Sequence, residues 1–193
     1  MTRDALLDTY RRSGALLEGH FRLTSGLHSS GYLQCALVLQ HPEQAEALGR
    51  AIGERVRTLG PTVVLSPALG GVVIGHEVAR ALGVRAIFAE RQDGRLALRR
   101  GFTLASTDRV LVVEDVMTTG GSTRETIEVA RAAGGEVVGT AAIVDRSPSG
   151  SLDFDVPLVT LLRIDLPTYE PDTCPLCAQG LPVVKPGSRP AVV

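Results

Sequence analysis

A parallel β-sheet covered by α-helices, the α/β class, is the fold this sequence predicts, and three observations predict it. Short runs rich in Val, Ile and Leu recur at residues 62–65, 85–89, 109–114 and 137–144, as buried strands do. Amphipathic stretches of helical length, each closed by glycine, precede the first run and follow the first and the third. The chain has 193 residues, 44% of them hydrophobic, which is enough for the core of one globular domain.

Taken in order, Thr2 can cap a first helix carrying Leu6, Leu7, Tyr10, Leu16 and Leu17 near helical spacing. Phe21 and Leu23 alternate like a short strand that Ser25-Gly26 breaks, and Tyr32 to Leu39 reads as extended. Pro42 suits the first turn of a helix that runs to Leu59, where Gly60-Pro61 stops it. Thr62 to Leu65 is a strand, Gly70-Gly71 a tight loop, Val72 to Leu82 a helix ended by Gly83, and Arg85 to Ala89 the next strand. Glu90 to Leu104 is polar and Arg-rich with Gly94 and Gly101, a hairpin or a mobile loop. Arg109 to Glu114, Ser122 to Ala133 and Val137 to Val144 complete the alternation as strand, helix and strand. From Pro167 the chain is rich in Pro and Gly and reads as an irregular arm.

Composition excludes several classes. A net charge of -1 and a pI near 6.4 supply no global attraction to nucleic acid or anionic membrane. No apolar run reaches the ~18 residues of a membrane span. The N-terminal stretch carries charges throughout, unlike a secretion signal, so the cytoplasm is the expected compartment. Lys185 is the only lysine among 20 basic side chains, and that bias alone points to no function.

The richest stretch runs Val110-Leu111-Val112-Val113-Glu114-Asp115-Val116-Met117-Thr118-Thr119-Gly120-Gly121-Ser122-Thr123. A buried strand delivers two adjacent acids to its C-terminal end, the edge where open α/β sheets bind ligands. Gly120 and Gly121 permit close backbone approach, and the helix that follows directs N–H groups and its positive dipole end outward. Hydroxyls of Thr118, Thr119, Ser122 and Thr123 add donors, giving a cradle for a monophosphate. Carboxylates beside a phosphate repel it unless they serve something between, such as sugar hydroxyls or Mg²⁺. Phosphate at the loop and a diol at the acids describe a ribose 5-phosphate. A nucleotide P-loop would need Gly-Lys-Ser/Thr, and a dinucleotide fingerprint would put its acid ~20 residues after the glycines.

Glu114 to Ser122 resembles the phosphoribosyl diphosphate (PRPP) motif of the type I phosphoribosyltransferase family. That resemblance implies a five-stranded parallel core sheet with a smaller hood built partly from the N-terminal segment. As one phosphoribosyltransferase domain, 1–193, the chain would divide into a hood of about 1–40 with the C-terminal arm 167–193, and a core of about 41–166. It implies Mg²⁺-dependent transfer with loss of pyrophosphate, the Mg²⁺ held mainly by substrate rather than by protein ligands. Glu114, Asp115, Val116, Met117, Thr118, Thr119, Gly120, Gly121 and Ser122 would bind PRPP, with Glu114 and Asp115 also catalytic.

Phe21-Arg22-Leu23-Thr24-Ser25-Gly26-Leu27-His28-Ser29, with Tyr32, is similar to the N-terminal signature of the orotate-using members of this family. Ile143-Val144-Asp145-Arg146 is similar to the segment whose arginine pairs with the orotate carboxylate, a task suited to a planar guanidinium. By resemblance Thr118 and Arg146 contact orotate, Tyr32 lies near the base, and Ser66-Pro67-Ala68-Leu69-Gly70-Gly71 forms the pyrophosphate loop. Thr24 and Gly70 stand where well-known members have lysine. The loop Phe88-Ala89-Glu90-Arg91-Gln92-Asp93-Gly94-Arg95 is shorter and has neither lysine nor histidine. Arg91 matches its first basic position and is the expected loop catalyst and PRPP ligand. Arg95, Arg99 and Arg100 are further candidates, with a solvated hairpin face as the alternative for all the arginines from Arg91 to Arg100. The resemblance implies a homodimer whose loop reaches the neighbour's site. Transfer to a purine or xanthine base, and a PRPP-sensing regulator that binds nucleic acid, are the alternative functions.

Cys174-Pro175-Leu176-Cys177 is compatible with half a zinc site, a redox pair or two plain thiols. Cys35 is the only other thiol, so a metal here is expected to need help from a second subunit. His20, His28, His41 and His76 show no ligand spacing and read as surface or cap residues. Lys185-Pro186-Gly187-Ser188-Arg189 is either an anion-binding tail or a surface arm.

Overall fold

The structure, a computed structural model, describes residues 2–23, 26–148 and 152–185. Thr24 and Ser25 of the N-terminal signature and Pro186 to Arg189 of the tail lie outside the described residues. The chain forms two compact units, Leu39–Ile164 and, from both ends, Thr2–Val38 with Asp165–Val193.

The larger unit is the α/β core. Its sheet runs in the order β5-β4-β3-β6-β7-β8. The strands are β3 (Val63–Pro67), β4 (Arg85–Gln92), β5 (Arg95–Leu98), β6 (Arg109–Met117), β7 (Glu136–Asp145) and β8 (Leu158–Arg163). Five of them are parallel, and β5 turns back antiparallel at the edge. Helices α3 (Pro42–Val56), α4 (Gly70–Leu82) and α5 (Gly121–Ala132) cover it. Val63, Leu65, Val110 and Val112 point to the face that packs Ile127 and Ala130 of α5. Val64 and Ser66, alternating with them, meet α4 at Gly75 on the other face. Burial on both faces explains why these strands read as continuous apolar runs rather than alternating ones.

The smaller unit holds α1 (Arg3–Arg12) and an antiparallel sheet in the order β1-β2-β9, formed by Leu16–Arg22, His28–Leu33 and Thr168–Tyr169. Thr2 caps α1 by accepting from the Ala5 N–H, as the sequence suggests. Tyr10 and Leu6 of α1 are buried, and the Tyr10 hydroxyl lies 3.0 Å from Cys35 Sγ.

Several boundaries differ from the sequence expectation. Helix α1 stops at Arg12, because the Gly14 and Ala15 N–H groups turn back onto the Arg11 and Tyr10 carbonyls. Leu16 and Leu17 therefore open β1 instead of extending the helix. The extended stretch from Tyr32 ends at Leu33, and Ala36–Leu39 closes into a short helix, α2. Gly70-Gly71 is the first turn of α4 rather than a loop before it. Glu90 to Leu104 contains the β4–β5 hairpin, whose turn is Asp93-Gly94 with φ of 51° and 83°. Two successive positive φ values are what a two-residue turn between twisted strands requires. Strand β8 was not anticipated, and the arm gains β9 and a one-turn helix, α6 (Pro175–Ala178).

Candidate functional site

The C-terminal ends of β3, β6 and β7, neighbours in the sheet, carry the expected residues of the core unit other than Arg91, which lies on β4. Val110 to Val113 of β6 are fully buried, Glu114, Asp115 and Val116 are partly exposed, and Met117 is buried again. Thr118 and Thr119 are exposed, and Gly120 precedes α5 with φ of 73°. No side chain caps α5, so the N–H groups of its first turn, from Gly121 and Ser122 on, have no intrahelical partner and face the loop.

Gly120 has two reasons to be glycine. Its φ lies in the left-handed region, and a Cβ there would sit 2.8 Å from Leu152 Cδ2 and 2.9 Å from Phe154 Cε1. Arg124 fastens the loop from behind. Its guanidinium donates to the carbonyls of Thr119 (2.7 Å) and Asp153 (3.2 Å) and stacks 5.0 Å from the centre of the Phe154 ring. The loop is thus preformed, with hydroxyls and amides on its open side.

The two acids are electrostatically loaded. Burial pushes the Glu114 carboxyl up to about 7, a hydrogen bond from Thr123 opposes this, and the neighbouring Asp115 charge adds to it. Burial also raises Asp115, opposed by backbone N–H donors, among them Val116 N–H at 2.9 Å from Oδ1. Among the described residues neither acid has an arginine partner. Several other carboxylates of this unit are matched by arginine, as Glu46 is by Arg50 and Arg80. A carboxylate pair held in partial burial without a cation suits hydroxyl donors or a divalent ion.

Neighbouring strands bring in the rest. β3 ends in Ser66-Pro67, and Ala68-Leu69 leads on into α4, with a cis peptide between Ala68 and Leu69. The Asp115 carboxylate lies against the start of α4, where a Cβ on Gly70 would come 2.7 Å from Oδ1. Arg146 follows β7, and its N–H donates to the Met117 carbonyl at 2.8 Å, stapling that turn to the end of β6. Asp145 is buried and accepts from the Ser147 N–H at 2.7 Å.

Not every expected residue takes the expected pose. Thr123 is fully buried and donates to Glu114 Oε2 at 2.9 Å, so its hydroxyl supports the acid instead of lining the cradle. Arg91 lies on β4, where it contacts the Gly94 carbonyl (2.7 Å) and pairs with Glu125 of α5 (3.1 Å). Arg100 forks onto Glu90 and lies over Phe88, the hairpin-face alternative. Arg124 was missed, since an arginine one turn into a helix carries no motif. Tyr32 and His28 belong to β2 of the smaller unit, where His28 and His20 are buried rather than on the surface.

Residues 36–164 match the phosphoribosyl transferase domain family. An orotate phosphoribosyltransferase of Pelotomaculum thermopropionicum is 53% identical over 98% of this chain and 99% of its own. Another, of Heliobacterium modesticaldum, is 54% identical over 98% of this chain and all of its own. The crystal structure of the Mycobacterium tuberculosis H37Rv orotate phosphoribosyltransferase in complex with inorganic phosphate superposes with a TM-score of 0.68 at 25% identity, covering 83% of this chain and 95% of that one. With a parallel sheet that ends in an acid pair and a glycine-opened helix, and with full-length relatives above half identity, the chain belongs to the orotate phosphoribosyltransferase family.

Proposed function

We propose that this chain transfers ribose 5-phosphate from PRPP to orotate, giving orotidine 5′-monophosphate and pyrophosphate in pyrimidine biosynthesis. The observation that carries the proposal is the run from Glu114 to Ser122, an acid pair one short span from a preformed anion cradle. The sugar's 5-phosphate is held by Thr118, Thr119, Gly120, Gly121 and Ser122, through hydroxyls, backbone N–H groups and the α5 dipole. Val116 and Met117 set the spacing between cradle and acids. The ribose hydroxyls donate to Glu114 and Asp115.

As the bond from ribose C1′ to pyrophosphate breaks, positive charge develops on the sugar ring. The same two acids put negative potential beside it. Orotate enters as an anion, its carboxylate paired with Arg146 and its ring within reach of Thr118, and a ring nitrogen forms the new bond to C1′ while its N–H proton passes to the departing pyrophosphate or to solvent. Mg²⁺ is the cofactor we propose. Two unpaired carboxylates fit a hard cation that takes most of its ligands from the diphosphate, with Glu114 and Asp115 as the side chains able to reach it. When bound, it neutralises charge on the departing pyrophosphate. Arg91 assists the leaving group from the hairpin, and two copies of the chain pair so that the hairpin of one serves the other. The proposed setting is the cytoplasm, and among the described residues no helix is long and apolar enough to cross a membrane.

The test is a spectroscopic assay of orotate consumption with PRPP, with and without Mg²⁺, run beside adenine, hypoxanthine and xanthine. Mg²⁺-dependent consumption of orotate alone is expected. Turnover of a purine with orotate untouched would overturn the assignment.

A further inference from the structure

The smaller unit gathers a second constellation that the transfer reaction does not use. His20 of β1, His28 of β2, Cys174 before α6 and Cys177 within it bring two ring nitrogens and two sulfurs within 4.8 Å of one another. Cys174 is 154 residues from His20, so the chain's two ends meet here.

The chemistry of each group favours a cation between them. His20 Nδ1 lies 2.8 Å from the Leu181 carbonyl, which can only accept, so Nδ1 carries the proton and Nε2 offers a lone pair inward. That Nε2 is 2.9 Å from His28 Nδ1, 3.5 Å from Cys174 Sγ and 3.7 Å from Cys177 Sγ, and His28 Nδ1 is 3.3 Å from Cys177 Sγ. A tetrahedral zinc with Zn–N of ~2.05 Å and Zn–S of ~2.3 Å separates its ligands by about 3.4 Å (N to N), 3.5 Å (N to S) and 3.8 Å (S to S). These three nitrogen–sulfur distances match to within about 0.2 Å, and the His20–His28 edge must open by about half an ångström. His20, His28 and Cys174 are 4%, 7% and 3% exposed, so water reaches them little. The Leu181 carbonyl fixes the ring of His20 in the way that outer partners orient metal-bound histidines.

We propose that His20 Nε2, His28 Nδ1, Cys174 Sγ and Cys177 Sγ form a structural Zn²⁺ site that clamps the C-terminal arm to the N-terminal β-hairpin. All four ligands come from one chain, and the second subunit that the sequence seemed to demand is not needed. Cys35 is no part of it, being engaged with Tyr10. Four protein ligands close the tetrahedron, so the ion takes no substrate and acts by linking segments far apart in sequence.

The test uses the full chain purified without chelators or a histidine tag. Elemental analysis should find one zinc per chain, and replacement by Co²⁺ should give the visible bands of a tetrahedral thiolate site. Cys177→Ser and His20→Ala should lose the ion and the cobalt bands, whereas Cys35→Ser should keep both. Stripping the zinc from the wild-type chain should lower its melting temperature, with recovery on adding Zn²⁺. Three results would overturn the proposal: wild-type protein without zinc that also gives no cobalt bands, a Cys174–Cys177 disulfide by mass in freshly purified protein, or full zinc content in both ligand variants. The readouts on the wild-type chain stand even where a variant fails to fold, and none depends on transferase activity.

Discussion

Thr123 donates its hydroxyl hydrogen to Glu114 Oε2 across 2.9 Å, linking the first turn of α5 to the acid pair that ends β6. This bond opposes the burial that raises the Glu114 carboxyl from 4.5 to about 7, and burial wins. A carboxyl raised on folding binds its proton more tightly in the native state. Its contribution to stability is complete below the unfolded value of 4.5 and is lost as pH rises through about 7. Above that, the folded protein carries a strained carboxylate costing at most ~3 kcal/mol. Glu114→Gln should therefore melt higher than wild type at pH 8, with the gap closing toward pH 5, while its turnover falls. Thermal melts of the ligand-free proteins across that range check it, and a gap independent of pH would refute the charge argument.

Gly120→Ala tests whether the cradle depends on one backbone conformation. Alanine in the left-handed region costs ~1–2 kcal/mol, and the overlap with Leu152 and Phe154 adds ~1–3 kcal/mol. The loop is the softer partner, so the expected outcome is a lower melting temperature together with a raised KM for PRPP. Calorimetry and initial rates measure the two. An unchanged KM for PRPP would mean that the loop does not hold the phosphate.

The core sheet was legible because burial on both faces makes its strands apolar without interruption, and because each helix ends in glycine. Strand β8 escaped, although Leu158 to Leu162 is mostly apolar, because Pro157 stands just before it and no helical stretch precedes it to continue the alternation. Leu16 and Leu17 fell at helical spacing from Tyr10, and only the turn at Gly14 moves them into a strand. The phosphate loop was legible because acids, threonines and glycines are contiguous. The four-ligand cluster was not, since its halves lie at opposite ends of the chain and no local spacing joins a histidine on β1 to a cysteine beyond β9. The inward turn of Thr123 is likewise a matter of side-chain direction, set by its place on α5.

Arg91 and Glu125 separate a structural role from a catalytic one. Their ion pair is exposed, 54% on the arginine side, and pairs of this kind contribute roughly 0–1 kcal/mol. Arg91→Ala should thus leave the melting temperature nearly unchanged. If Arg91 stabilises the departing pyrophosphate, the same variant loses roughly ten- to hundredfold in kcat. Glu125→Gln, which keeps an oxygen for the Leu96 N–H but drops the charge, should retain activity. Equal small losses in both variants would reduce Arg91 to a hairpin brace.

Arg146 is anchored through its own backbone, its N–H donating to the Met117 carbonyl at 2.8 Å, so replacing the side chain leaves that staple in place. Arg146→Ala should then act chiefly on the base. Loss of a charge-assisted hydrogen bond costs ~1.5–3 kcal/mol, which raises the KM for orotate roughly ten- to hundredfold. The KM for PRPP should stay within about twofold, since the phosphate contacts come from other residues. Arg146→Lys restores the charge without the planar fork, and should recover part of the loss. Initial rates with each substrate varied in turn decide the matter. A parallel rise for PRPP would mean that Arg146 holds the loop instead of recognising the base.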